Sequence, residues 1–342
     1  MNDFNERLRQ ILLLVVIVFL TYLCIKELVI FLPGLLGAIT FYILSRASYF
    51  QLVFHKKWKK GRAAGLYILY YLLILGIPIF LAVVLISPKV NVFLENPTAT
   101  IAAAKSSVMA VQQKLHISLI SEKTLTSSLD KISAFVPTLL NSTANLLANL
   151  AIMLFVLYYM LYNGTEMERQ LNKVIPLRQE NISTLASETK TMVRANALGI
   201  PLISMIQGIA AALGYLIFGV KDWALWGFLT GIFAFFPVVG TMIVWVPLVI
   251  FTYATGTTGQ AIGVFLYSLI ITGNIDYVAR ITLLKRLGNV HPVVTILGVI
   301  IGLGLFGFIG LVFGPLLLNY VILLFGIYSN EFVSREADVE AS

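Results

Sequence analysis

The chain has 342 residues, of which 59% are hydrophobic and 12% charged, with a net charge of +8. A soluble domain carries about twice that share of charge, so a single water-soluble core is excluded and a bilayer must solvate much of the chain. The basic residues sit in short clusters between apolar runs, which is an orientation signal for membrane insertion and not a nucleic-acid surface.

Apolar stretches fall at about 11–31, 32–45, 63–87, 144–162, 197–219, 223–254, 259–279 and 290–328. A helix needs about 20 residues to cross the hydrocarbon core. The first stretch follows a short charged lead with no small-residue cleavage site, so it reads as a retained helix. Lys26-Glu27 and Pro33-Gly34 interrupt the first 35 apolar residues, which look like a hairpin or a pair of short helices. The lone Cys24 lies in an apolar run and allows neither a disulfide framework nor a CxxC metal site.

The cluster His55-Lys56-Lys57-Trp58-Lys59-Lys60-Gly61-Arg62 is the strongest orientation cue. Placing 1–10, 46–62, 164–197, 279–289 and 329–342 in the cytoplasm puts 17 basic residues inside and 7 outside, with both termini inside. Residues 89–143 are the one sizeable polar insertion. Ile101, Ala104, Val108, Val111 and Leu115 step by three and four, as do Leu125, Leu129, Ile132, Val136 and Leu139. They predict two amphipathic helices on the outer side, packed together, laid on the membrane or joining subunits. A further amphipathic stretch, 165–193, is broken at Ile175-Pro176 and falls inside.

Two stretches are too long for one crossing and break near their middles, at Phe236-Pro237-Val238-Val239-Gly240 and Phe306-Gly307-Phe308-Ile309-Gly310. Gly231-x5-Pro237-x2-Gly240-x6-Pro247-Leu248 echoes Gly302-x4-Gly307-x2-Gly310-x4-Pro315-Leu316, and one long crossing precedes each. The charge count threads the two units in opposite senses. Inverted repeats with broken helices meeting near the midplane are a transporter feature, although a single glycine there can equally serve close helix packing.

The second crossing closes on Asn274-x-Asp276-x3-Arg280. Asp276 and Arg280 share a helical face and can pair. A charge at the bilayer centre costs at least about 2.5–3.5 kcal/mol, so such a pair marks either a pathway or an interfacial ion pair, with Lys285 and Arg286 favouring the interface. Gln207 can face a cavity or glue two helices together. His291 before Pro292 suits a cap or packing role. There is no GxxxxGK[ST] loop, no HExxH and no paired carboxylate site, so no enzyme activity, cofactor or metal is expected.

The series Ile200-Pro201-Leu202-x4-Gln207-Gly208, Phe236-Pro237-Val238-Val239-Gly240-Thr241, Asn274-x-Asp276-x3-Arg280, Val290-His291-Pro292 and Leu305-Phe306-Gly307-Phe308-Ile309-Gly310-Leu311-Val312-Phe313-Gly314-Pro315-Leu316 resembles the autoinducer-2 exporter family of bacterial permeases. Tyr277 and Ile281 depart from the Asn and Pro common there. The resemblance implies a bacterial inner-membrane protein that assembles as a homo-oligomer, a pentamer being the implied form, with an elevator-like mobile unit. It implies export of a small polar solute or signal, with sodium (lithium)/proton antiport as the alternative; a non-transporting scaffold is the reading from another class.

The expected fold is all-α and polytopic, with about seven or eight membrane elements. Its parts are N-terminal transmembrane helices (1–88), the outer insertion (89–143), a transmembrane helix (144–163), a cytoplasmic amphipathic segment (164–196), an inverted-repeat core (197–330) and a cytoplasmic tail (331–342). Asp276, Arg280, Asn274 and Gln207 are the expected pathway residues; Pro237, Gly240, Gly307, Gly310 and Pro315 are expected to shape the hairpin tips. The expected partners are the lipid bilayer, a small polar solute or monovalent cation, and further copies of the chain, with no nucleic acid.

Overall fold

The computed structural model describes residues 2–115, 122–174, 177, 179–236, 239–275, 278, 282, 292–306 and 310–329. Every regular element among them is helical. In chain order these are α1 (Asn2–Leu28), α2 (Leu32–Phe50), α3 (Lys60–Glu95), α4 (Pro97–Leu115), α5 (Glu122–Tyr162), α6 (Gly164–Val174), α7 (Gln179–Arg194), α8 (Ile200–Ile217), α9 (Trp223–Phe233), α10 (Gly240–Thr255), α11 (Thr258–Tyr267), α12 (Pro292–Phe306) and α13 (Gly310–Tyr328). Five helical stretches are long and apolar enough to cross a membrane, and four shorter apolar helices accompany them.

The N-terminal pair does not fold back on itself. A 3-10 turn at Val29–Phe31 carries α1 straight into α2, because the flanking residues keep right-handed helical angles. Pro33 opens α2 without needing a donor. The side chain of Asn149 on α5 holds the joint: its Oδ1 accepts from the Gly34 amide at 3.0 Å, and its Nδ2 donates to the Ile30 carbonyl at 3.1 Å. Along Ile11–Ile30 the side chains of α1 are exposed, as expected for a helix solvated by lipid.

The insertion departs from the sequence-based expectation. α3 runs past residue 88 to Glu95, where Asn96 and Pro97 stop it. Its second helix is not separate; it continues into the crossing as the 41-residue α5. No glycine falls between Glu122 and Asn163, and the helix runs on through Pro137. α4 lies mainly against α10, with lesser contacts to α3 and α5.

Three apolar clusters hold the helices together. Tyr42, Tyr49, Ala63, Ala64, Tyr71, Met153 and Leu157 join α2, α3 and α5. Ala211, Tyr215, Trp245, Leu248 and Val264 join α8, α10 and α11. Val193, Phe313 and Leu316 seat α13 against α7, where Leu36 of α2 also packs.

Two ion pairs mark opposite ends. The Arg46 guanidinium grips the Glu168 carboxylate through Nε and through Nη2, the latter at 2.6 Å, tying α2 to α6. Lys89 Nζ bonds Asp222 Oδ2 at 2.6 Å, tying α3 to the turn before α9. Along α3, Lys60 and Lys89 are separated by roughly 44 Å of helix rise, close to the full thickness of a bilayer with its headgroups. Residues 46–62 therefore meet 164–168 at one end, and 89 meets 222 at the other.

The Tyr42 hydroxyl also donates to Glu168, at 2.7 Å. Burial pushes the Glu168 carboxyl up, but Arg46 and Tyr42 outweigh it and hold its pKa below the usual carboxylate value. A depressed carboxylate contributes stability above its unfolded pKa and loses it as pH falls through the folded one. Glu168→Gln should therefore lower stability by about 1 kcal/mol at pH 7. The deficit should shrink toward zero in strong acid, once the pH has fallen past the usual carboxylate range and through the depressed folded value, where the native carboxyl is itself neutral. Thermal melts of both proteins at pH 7 and in strong acid check this; a deficit of equal size at both would mean that the charge is irrelevant.

Candidate functional site

α8 is the axis of the second half of the chain, and small residues let its neighbours approach closely. A Cβ on Gly208 would lie 3.0 Å from the Gly231 Cα, and one on Gly227 would lie 2.3 Å from the Ala212 Cβ. The backbones of α8 and α9 therefore nearly touch. The Ser204 hydroxyl donates to the Gly231 carbonyl across this seam. Further along, the Tyr215 hydroxyl and Thr230 Oγ1 are 3.2 Å apart, and Thr230 donates to the Trp226 carbonyl at 2.8 Å.

On its other flank α8 meets α11 in antiparallel order. Phe218 packs where Gly263 leaves room, and Tyr267 packs where Gly214 does. The Tyr267 hydroxyl donates to the Ala210 carbonyl at 2.9 Å. Gln260 Nε2 closes the end of α8 by donating to the Phe218 and Gly219 carbonyls at 2.7 and 2.9 Å.

Between these well-bonded ends lies a polar patch that is not satisfied. Gln207, Ser268 and Thr272 are each 0% exposed. Neither amide atom of Gln207 nor the Thr272 hydroxyl finds a hydrogen-bond partner among the described residues, and the Ser268 hydroxyl has only the neighbouring Tyr215 hydroxyl to turn to. Thr230 and Thr252 return their hydroxyls to the carbonyl four residues back, the usual solution for a helical threonine. Ser268 and Thr272 do not, and they stand at the two ends of a single π-helical turn, Ser268–Thr272. Such turns disturb the regular carbonyl ladder and recur at functional positions. Gln207, Ala211 and Tyr215 share one face of α8 at spacings of four. Tyr215 lies beside Ser268, so the antiparallel register brings Thr272 and Gln207 toward the same level. Each unsatisfied buried group costs about 1–3 kcal/mol.

The expected site residues fall as follows. Gln207 is fully buried and unpartnered on the α8 side of this seam. Asn274 is exposed, and its Nδ2 donates to the Ile270 carbonyl at 2.5 Å. Gly240 opens α10, where a Cβ would come within 1.8 Å of the Phe233 carbonyl oxygen, so the chain can turn tightly only without a side chain. Gly310 opens α13 against the Gly302 carbonyl. Pro315 lies inside α13, packed on Gly298. Asp276, Arg280, Pro237, Gly307 and His291 lie outside the described residues. The described helices of the two units pack differently: α9 lies chiefly along α8, whereas α12 lies against α13.

Ser268 and Thr272 were not among the expected pathway residues. Their signal in the sequence is the series Ser268, Thr272, Asp276 at intervals of four along one crossing. Among the described residues no group of His, Cys, Asp or Glu could hold a metal ion.

Apolar helices that need lipid around them, enclosing buried polar side chains, define a multi-pass membrane protein. The chain belongs to the AI-2E transporter family, which it matches over residues 11–330. It is similar to a Helicobacter pylori protein provisionally named for transport, 26% identical over 225 residues, or 63% of each chain. A Methanocaldococcus jannaschii protein, likewise provisionally named for transport, is 24% identical over 277 residues, covering 78% of this chain and 81% of its own. A third such relative, from Treponema pallidum, is 31% identical over 174 residues, 51% of this chain and 42% of its own. The chain spans just under two thirds of the length of the Helicobacter relative.

Proposed function

We propose that the protein exports a small, uncharged, hydroxyl-bearing solute, of the autoinducer-2 signal kind, across the bacterial inner membrane. The unsatisfied patch of Gln207, Ser268 and Thr272 carries this reading. An amide and two hydroxyls can both donate and accept, which suits a solute whose own hydroxyls must shed water midway across. Ligand hydrogen bonds would then offset the desolvation these groups suffer in the empty protein. In this reading the end bearing Arg46, Lys56–Arg62 and Glu168 is cytoplasmic, both termini lie on that side, and the protein works as a homo-oligomer.

The test is efflux from vesicles reconstituted with the full chain and loaded with a panel of labelled small polyols, sugars and the signal molecule. At least one solute should leave faster than from protein-free vesicles. Equal rates across the panel would sink the proposal. The series Ser268, Thr272, Asp276 also favours a second reading, a sodium (lithium)/proton antiporter with Asp276 as the exchanging carboxylate and Arg280 as its partner. Sodium-dependent pH changes in inverted vesicles, abolished by Asp276→Asn, would replace the first reading with that one.

A further inference from the structure

α3 and α5 leave a groove of about 530 Å³ between them. Gly65, Ile68 and Leu72 line one wall and Leu154, Phe155 and Tyr158 the other. The groove is apolar throughout, apart from the tyrosine hydroxyls near one end. Gly65 faces open space: a Cβ there would find no atom within 4 Å.

The groove points at the most basic segment of the chain. Arg62, Gly65, Leu69 and Leu72 recur at helical spacing on one face of α3, so Arg62 stands one turn beyond the groove mouth. Lys59 and Lys60 stand at the start of the same helix, and Lys56 and Lys57 lie just before it. All five cations are exposed. None is ion-paired with a carboxylate among the described residues. A Cβ on Gly61 would lie 3.3 Å from the Tyr158 hydroxyl and 3.9 Å from the Tyr162 ring, so the tyrosine end of the groove lies under the charges. Topology alone would account for the cations, but not for an apolar slot ending beneath them.

We infer that this groove is a binding site for one anionic glycerophospholipid, with an acyl chain between α3 and α5 and the phosphate on Lys59, Lys60 and Arg62. Clustered lysine and arginine at the cytoplasmic end of a membrane helix attract anionic headgroups. The groove adds what a diffuse surface attraction lacks, a defined place for the chain. Gly65 to Leu72 covers roughly 10 Å of helix rise, starting at headgroup level and running toward the membrane centre. This inference is independent of which solute is carried.

Native mass spectrometry of the intact protein in detergent, titrated with phosphatidylglycerol or with phosphatidylcholine of identical chains, reads the site directly. Phosphatidylglycerol should be retained about tenfold better, a difference of 1.4 kcal/mol. Lys59→Gln/Lys60→Gln/Arg62→Gln should remove the preference. Gly65→Leu, whose Cβ would meet no atom within 4 Å, should weaken retention of both lipids while leaving the charges in place. Glycerophosphoglycerol without chains should not compete. Equal retention of the two lipids, a preference that survives both variants, or full competition by the chainless headgroup would each overturn the inference. Melting curves of the variants at native values would show that any loss is not a folding defect.

Discussion

Gly314→Ala is expected to destabilise the protein by more than about 3 kcal/mol, while Gly304→Ala, ten residues earlier, is expected to stabilise it slightly. α12 and α13 are held by two glycine pairs facing each other, Gly298 with Gly302 and Gly310 with Gly314. A Cβ on Gly314 would lie 1.9 Å from the Gly298 carbonyl oxygen and 2.7 Å from the Gly302 Cα. Both obstacles are backbone, so no rotamer change can relieve the clash and the helices must separate. Overpacking usually costs about 1–3 kcal/mol where side chains can yield, and this site has none to yield. Separation would also draw Phe313 and Leu316 away from Val193, the cluster that seats the hairpin on α7. Gly304 is exposed, with nothing within 4 Å of its Cβ position, so alanine there gains helix propensity of up to about 1 kcal/mol. Size-exclusion profiles and melting temperatures in one detergent decide the matter. A Gly314→Ala protein as monodisperse and as heat-stable as the native one would mean that the hairpin is not packed as described.

The contrast between these glycines shows what could be read from sequence and what could not. The crossings at 63–87, 144–162 and 197–219 and the interruption between α9 and α10 were legible, because lipid demands length and apolarity and Pro and Gly punctuate a helix. Which glycine lies at a turn and which lies between backbones was not, since both need a missing side chain. Gly240 and Gly310 do both at once, opening a helix while touching another segment. The division at residue 143 failed for a related reason. The amphipathic stripe ending at Leu139 and the apolar run from Ala144 share one helical period, and only the change of solvent distinguishes them. Gln207 was legible as a polar residue in an apolar run, but that it lacks a partner depends on what α9 and α11 place around it. Ser268 and Thr272 were the hardest to see. Elsewhere in a helix their hydroxyls would bond the backbone, and only the π turn leaves them without that option.

Gln207→Leu is expected to raise the melting temperature and to cut solute efflux at least tenfold. Leucine has nearly the size of glutamine and needs no hydrogen bond, so the exchange removes an unmet desolvation cost of about 1–3 kcal/mol. In a protein selected only for stability this position would already be apolar; a group kept at that cost points to a ligand. Ser204→Ala supplies the opposite case from the same helix, one turn away. Its hydroxyl is bonded to the Gly231 carbonyl, so alanine should leave that acceptor unmet and lower stability by about 1 kcal/mol, with efflux intact. Measuring melting temperature and vesicle efflux on both variants separates the two roles. If Gln207→Leu lowers the melting temperature as Ser204→Ala does, Gln207 is helix glue and its patch carries no transport argument. A rise in stability together with loss of efflux is the pair of results that structure alone cannot produce, because no packing defect makes a protein harder to melt.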